Sequence, residues 1–386
     1  MILRIGIIGF GGAGQAHVKY FGCIPGCAVV RVFDPDPAGR ARAVAAGLAV
    51  VDDLGRFWDG LDAVSVCAPD ADHAAYLVEA LERGLHTVCE KPLTDSVEGV
   101  RAIVRAARAS RGVLAVVHQM RFVPLHVAVR EAIQAGELGT LSYLEGYYVH
   151  DLRARAFVNH PWRAEDNATP LVYSGCHFID LLRWLADDEI VQVVAMANHR
   201  AFPEYPESDL NVVLCRFASG ILGKVVVAFG SGGPQDHSVR AQGTDGAIDN
   251  NVLFTRGGQW GRVLHEPMLI QPELLPRAGA PGLVSRARQL RVSIPARAAG
   301  LGFRALRWLA RRPNAEYGAR NYPLRTYEHS LACVRALEDF VGAVRDGRPP
   351  LCSVEESAQT VLACLAGVDA YRTGRIVAVP RLRDVV

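Results

Sequence analysis

Glu90-Lys91-Pro92 stands directly after an apolar run, residues 85–89, and well downstream of a glycine-rich turn at Gly9 to Gly14. That position puts an ammonium group at the carboxyl end of a strand, the edge at which parallel sheets bind ligands. A positive charge held about 3 Å from a carbonyl or hydroxyl oxygen stabilises the alkoxide that develops when a hydride arrives at or leaves the attached carbon. Burial lowers the pKa of such an amine, and nearby carboxylates raise it. Glu90 is the adjacent carboxylate and can orient a ribose or Lys91 itself, although consecutive strand residues point to opposite faces. In isolation Lys91 reads as a surface lysine closing a strand; the glycine turn argues for the chemical reading.

Gly9-Phe10-Gly11-Gly12-Ala13-Gly14 sits where a β-branched run gives way to a helical one. Gly9 suits the tight turn, Gly11 lets backbone approach a pyrophosphate, and Gly14 allows helix and strand to pack closely. The phosphates would then lie at the helix N-terminus, which Gly12 and Ala13 open. Asp34 follows Gly14 by twenty positions, at the end of the second apolar run. A carboxylate there accepts hydrogen bonds from the adenosine ribose and repels a 2′-phosphate, so NAD is expected in preference to NADP. The plainer reading of Asp34 is a turn residue before Pro35.

These side chains need a sheet to hold them. Short β-branched runs at 3–8, 28–33, 63–67, 87–89 and 114–118 alternate with helical stretches at 13–21, 37–46, 72–83 and 97–109, the pattern of a doubly wound parallel sheet. Asp70 or Asp72 is expected to cap the third of those helices. An α/β chain of two domains follows, with 1–122 binding the dinucleotide and 123–386 binding substrate and forming oligomers. In the second domain, strands at 141–148, 191–197, 210–217, 221–229 and 238–243 suit an antiparallel sheet. Helices at 327–346 and 355–373 are expected to pack back across it.

In chain order, Gly9-x-Gly11-x-x-Gly14, Asp34, Pro69-Asp70-x-x-His73, Glu90-Lys91-Pro92, Arg121-Phe122, Gly136-x-Leu138-Gly139, Trp162-Arg163 and Gly175-x-His177-x-x-Asp180 make a series. It resembles the Gfo/Idh/MocA oxidoreductases, the family of glucose-fructose oxidoreductase and inositol dehydrogenase. The resemblance implies an N-terminal Rossmann domain with Pro69, His73 and Glu90 beside the cofactor. It also implies a C-terminal α/β domain on a large, mostly antiparallel open sheet, and homo-oligomers, dimers or tetramers, formed through that sheet.

The sequence departs from the family pattern at one point. Members generally carry an aspartate four residues before the histidine, which puts both on one helix face. Here Tyr173 precedes His177, and Ala168-Thr169-Pro170-Leu171 replaces a glycine-rich stretch usual just upstream. Tyr173 can donate a proton if Lys91 lowers its pKa, and His177 can act with no carboxylate behind it. The plain alternatives are a core aromatic for Tyr173 and a backbone-bonded helix histidine for His177. Asp180 reads as a structural partner. His118, Arg121, Trp162 and Arg163 complete the candidate substrate pocket, Trp162 by stacking on a sugar ring; for Arg121 a tie between the domains is the preferred reading.

Composition bounds the rest. With 386 residues, 50% hydrophobic and 21% charged, the chain can bury two cores. A net charge of +2 gives no reason to expect a nucleic-acid partner. Nine scattered cysteines without a C-x-x-C pair suggest free thiols in a reducing compartment, with Cys23 and Cys27 the one weak metal candidate and no metal expected. Neither a leader-like segment nor a membrane-length apolar stretch is legible, so a cytoplasmic protein is expected. Residues 277–320 hold ten arginines against one acid, Glu316, interleaved with Leu301, Phe303, Leu306, Trp308 and Leu309. This basic insertion is expected to pack on the second domain or a neighbouring subunit, with an anionic membrane or a phosphate-bearing substrate as alternatives.

The expected activity is NAD-dependent hydride transfer to or from a sugar, cyclitol or nucleotide-sugar, with Lys91 as electrophilic stabiliser and His177 or Tyr173 moving the proton. Two alternatives stay open: an NAD-recycling elimination or epimerisation with no net redox change, and an NAD-binding protein without catalysis.

Overall fold

The computed structural model describes residues 2–153, 169–233, 235–256, 261–265 and 322–386. Trp162, Arg163 and the basic segment 277–320 lie outside the described residues.

Six strands, β1 (Leu3–Ile8), β2 (Cys27–Phe33), β3 (Val50–Val51), β4 (Ala63–Val66), β5 (His86–Cys89) and β6 (Leu114–Val116), form a parallel sheet ordered β3-β2-β1-β4-β5-β6. β4 is buried at every position and β1 at all but Arg4, which is why these runs are apolar without alternation. Between the strands lie α1 (Gly12–Phe21), α2 (Pro37–Ala45), α3 (Leu54–Phe57), α4 (His73–Glu82) and α5 (Val97–Ala109). The expected strand and helix order holds; β3 and α3, two and four residues long, were too short to leave a periodic signal. The cap expected of Asp72 does not form. A 3₁₀ turn, Asp70–Asp72, runs into α4 and leaves Asp72 with helical φ and ψ of −89° and −12°, whereas a capping side chain needs extended backbone. Asp36 and Ser96 do have that conformation and cap α2 and α5. Strand order reverses direction between β1 and β4, and the crevice at such a point is where open α/β sheets take their ligands.

After α6 (Pro124–Gln134) the chain builds a second sheet from β7 (Leu141–Val149), β8 (Ile190–Asn198), β9 (Leu210–Phe217), β10 (Leu222–Ala228), β11 (Val239–Gly243), β12 (Gly246–Asp249), β13 (Val252–Thr255), β14 (Arg262–Val263) and β15 (Val377–Ala378). Its order is β14-β13-β12-β11-β7-β10-β9-β8-β15, with every pair antiparallel except β7 and β10. One face packs on α7 (Cys176–Ala186). Gly146 of β7 permits this approach, because a Cβ there would lie 2.5 Å from the Phe178 ring.

The last helices correct the expected packing. α8 (Tyr322–Asp346) lays Val334, Leu337, Phe340 and Val341 against Ile5, Ile7, Phe10 and Val88 of the first sheet. α9 (Val354–Thr373) gives Val354, Ala358 and Val361 to the core on that sheet's other side, while Ala363, Cys364 and Ala366 join the second domain's core. Burial decides this: an all-parallel sheet must be covered on both faces, and the first five helices leave room for two more. Val334, Leu337, Phe340 and Val341 of α8 therefore pack in the core of the first sheet.

Candidate functional site

Gly9 turns the chain from β1 to α1 with φ +84°, and a Cβ on it would sit 2.6 Å from the Cys67 carbonyl oxygen. At Gly14 a Cβ would meet the Gly9 carbonyl oxygen at 2.0 Å, so the helix rests directly on the turn. Gly11 and Gly12 are the reverse case, with nothing within 4 Å of an added Cβ, so the N-terminus of α1, where Ala13 also lies, opens freely. That arrangement fits a dinucleotide pyrophosphate. Gly14→Ala is thus expected to destabilise folding by about 1–3 kcal/mol. Gly11→Ala should leave the thermal midpoint unchanged and weaken only NAD binding; melting curves beside a fluorescence titration separate the two.

Asp34 is buried at the end of β2. Its carboxylate accepts from Phe10 N (2.6 Å) and Asp36 N (2.9 Å), and α2 can close over it because residue 39 is glycine. His73 is fully buried, with Nδ1 2.8 Å from the Pro92 carbonyl and Nε2 3.0 Å from that of Ala68. It pins the loop that follows Lys91 to the segment leading into Pro69. Glu90 turns away from the Lys91 ammonium and meets His17 of α1, Oε1 lying 3.0 Å from Nε2.

Lys91 leaves the end of β5 and points across to the second domain. Its Nζ donates to the Tyr173 carbonyl (3.2 Å) and lies 4.3 Å above the Tyr173 ring centroid. Tyr173 belongs to a π-helical turn, Leu171–Gly175, that runs into α7 and widens the helix where Lys91 enters. His177, one turn on, is buried and stacks on Tyr148 of β7 at 5.5 Å and 14°. Burial, then the charge of Lys91 and the neighbouring imidazoles of His329, His118 and His150, hold its pKa well below the ordinary value. His177 is a neutral ring at neutral pH.

His118 follows β6 as Lys91 follows β5: Cys89 and Val116 are register partners, and each functional residue lies two positions beyond. Burial, with the Arg121, Arg183 and Lys91 charges, outweighs Asp180 and lowers the His118 pKa to about 4. Asp180 is fully buried and held by Arg121 through two hydrogen bonds of 2.7 Å. Burial pushes its carboxyl up, but Arg121 and His118 overcome this and hold it at about 2. Arg121 also reaches Glu356 Oε2 (2.9 Å) and the Leu351 carbonyl (3.3 Å), so its guanidinium is committed to joining α7, α9 and the first domain. It takes the tie role of its two readings.

Two groups of site residues were not legible in the sequence. His329 of α8 stands 3.2 Å from Gln119 Nε2 and senses the charges of Glu90 and Lys91. Tyr148 near the end of β7 stacks on His237 at 4.7 Å, and His150, just past the strand, lies tilted against the same ring at 4.5 Å. An alternating Tyr-x-His pair was the one signal available for the latter; the former depended on where α8 packs. Among the described residues, both ring nitrogens of His118, Nδ1 of His177, Oε1 of Gln119 and Oγ of Ser174 are buried without a hydrogen-bond partner. Buried polar groups are nearly always paired, so this set suits a ligand rich in hydroxyls. No group of three His, Cys, Asp or Glu among the described residues is placed to hold a metal, and Cys23 and Cys27 form no disulfide.

Comparison with known proteins fits this geometry. Residues 3–118 match the oxidoreductase family with an NAD-binding Rossmann fold, and residues 126–249 match the GFO/IDH/MocA C-terminal domain. An inositol 2-dehydrogenase of Rubrobacter xylanophilus is 31% identical over 255 residues, covering 64% of this chain and 70% of the relative. Inositol 2-dehydrogenase 1 of Saccharopolyspora erythraea is 30% identical over 280 residues, covering 69% and 80%. The chain belongs to the Gfo/Idh/MocA oxidoreductase family. A levoglucosan dehydrogenase solved with NADH shares the family fold, with a TM-score of 0.77 at 21% identity over 99% of this chain and 100% of the other. This family member carries an NAD-binding Rossmann domain, and among its described residues no helix is long and apolar enough to cross a membrane.

Proposed function

We propose that this protein is an NAD-dependent dehydrogenase that oxidises a ring hydroxyl of a cyclitol or sugar, or reduces the corresponding ketone. The observation that carries this reading is the Lys91 ammonium, presented from β5 to the second domain with no carboxylate of the described residues within ion-pair distance. Bound NAD would supply the hydride acceptor, held by the glycine turn and the N-terminus of α1. Lys91 stabilises the charge on the substrate oxygen. His177, neutral and with a ring nitrogen unengaged, takes the hydroxyl proton, and His118 offers a second hydrogen-bonding edge to a neighbouring hydroxyl. Tyr173 serves through its ring and carbonyl as the surface on which Lys91 rests. NAD is favoured over NADP because Asp34, with Asp36 two residues on, puts two carboxylates where a 2′-phosphate would lie. The inositol dehydrogenases among the relatives make inositols the first substrates to try.

The test is a panel of inositols, sugars and nucleotide sugars with NAD and with NADP, followed by reduced-nicotinamide absorbance. Tyr173→Phe should keep turnover and His177→Ala should lose most of it. The reading fails if no compound reduces either cofactor, and turnover without absorbance change would indicate NAD recycling.

Self-association belongs to the same proposal. The outer face of the second sheet exposes Met196, Leu214 and Leu222 around Glu145, which Lys224 approaches to 2.5 Å. Light scattering should give a mass of at least twice 41.8 kDa, and Leu214→Glu should reduce it.

A further inference from the structure

We propose that His17 is a positioning residue for Lys91: as an imidazolium on α1 it holds the Glu90 carboxylate and so keeps that carboxylate from capturing the Lys91 ammonium. The inference rests on the role given to Lys91 above.

His17 is three residues past Gly14, on the helix whose N-terminus would receive the pyrophosphate. Both its ring nitrogens face oxygen: Nδ1 lies 2.7 Å from Ser65 Oγ of β4, and Nε2 lies 3.0 Å from Glu90 Oε1. Ser65 can accept from His17 while its own hydrogen turns to Cys67 Sγ at 3.6 Å. An imidazole donating from both nitrogens carries a full positive charge. The ring is 1% exposed, so the charge persists only because a carboxylate answers it. Burial works against the cation, and Cys67 and Glu90 outweigh it to raise the pKa of His17 to about 10. Burial likewise pushes the Glu90 carboxyl up, while His17 and Lys91 hold it down at about 2.

Glu90 and Lys91 are neighbours in the chain, and Glu90 Oε2 already accepts from the Lys91 backbone N–H at 3.2 Å. The Lys91 charge already acts on that carboxylate. The pull of His17 keeps it from Nζ, leaving Nζ directed at Tyr173 and the substrate. Tyr20 of α1, Cys89 of β5 and His329 and Cys333 of α8 also sense Glu90, and none of them competes as a cation for it. The arrangement also ties helix α1 to the residue before Lys91, so the cofactor turn and the ammonium keep one spacing.

The experiment compares His17→Gln, Glu90→Gln and the double variant in the full-length protein. His17→Gln should lower kcat at least tenfold with the substrate KM nearly unchanged, and adding Glu90→Gln should restore most of the loss. A merely structural role for His17 predicts the opposite, a double variant slower than either single one. A second readout needs no turnover: the pH dependence of Lys91 acylation, followed by mass spectrometry of its peptide. Protection of Lys91 should extend to higher pH in His17→Gln and return in the double variant. That shift without activity on any substrate would sink the dehydrogenase reading and leave this one standing; unchanged Lys91 reactivity in His17→Gln would sink this one. If His17→Gln does not fold, nitrogen-15 histidine spectra of the wild-type protein decide. His17, assigned by its response to Ser65→Ala, should carry protons on both ring nitrogens at pH 7.5, and a neutral tautomer there overturns the proposal.

Discussion

Lys91→Ala is expected to lower kcat by about 10²–10³-fold on the substrate found by the panel, with NAD affinity kept within a few fold. The loss follows from what Nζ touches. Its protein contacts are a carbonyl oxygen and an aromatic face, both of which leave the charge intact for a third partner, the developing alkoxide. The nearest imidazoles are neutral, so no other group among the described residues supplies a fixed positive charge beside Nζ. Lys91→Arg should not rescue, because the guanidinium spreads its charge over a planar fork instead of presenting a compact point charge to the substrate oxygen. Steady-state kinetics beside a cofactor titration checks both, and full turnover in Lys91→Ala would remove Lys91 from the mechanism.

Arg121→Leu is expected to cost about 3–5 kcal/mol of folding stability, since it leaves the Asp180 carboxylate buried with its main partner gone. Asp180 is 0% exposed and, among the described residues, keeps only Thr360 Oγ1 at 3.1 Å and the more distant charge of Arg183. The double variant Arg121→Leu with Asp180→Leu should recover much of the loss, because it removes both charges together. Urea denaturation measures the difference. The sign with pH is fixed: the carboxyl of Asp180 is depressed from 3.8 to about 2, so its contribution is complete above pH 3.8 and disappears as pH falls through 2. In Arg121→Leu that acid-side loss should start at a higher pH.

The cofactor half of the site was open to reading in the sequence because its signals are local. Gly9, Gly11 and Gly14 are separated by two and three residues, and backbone geometry alone dictates where glycine is required. Lys91 was legible for the same reason, at the end of a recognisable strand. The proton-handling half was not. His17 takes its meaning from Glu90, 73 residues away, and no periodicity connects them. His329 could be assigned only after α8 was known to lie on the first sheet. Arg121 had two readings that differ by which carboxylate is near, and Asp180 and Glu356 decide it from 59 and 235 positions along the chain. Tyr173 shows the limit most plainly: spacing put it in line with His177, but the π-helical turn sets its carbonyl and ring, rather than its place in a heptad, toward Lys91.

The packing of α8 against β1 and β5 has a consequence for how the protein comes to exist. β1 is covered by a helix made more than three hundred residues later. The Ile5 and Ile7 surface must therefore be shielded by other means until α8 has been made. A nascent chain stalled before Tyr322 would carry every residue of the glycine turn and Lys91 and still lack the helix that covers β1. Expressing residues 1–122 alone should yield aggregate, while the same segment supplied with 322–373 in trans should be recoverable from solution.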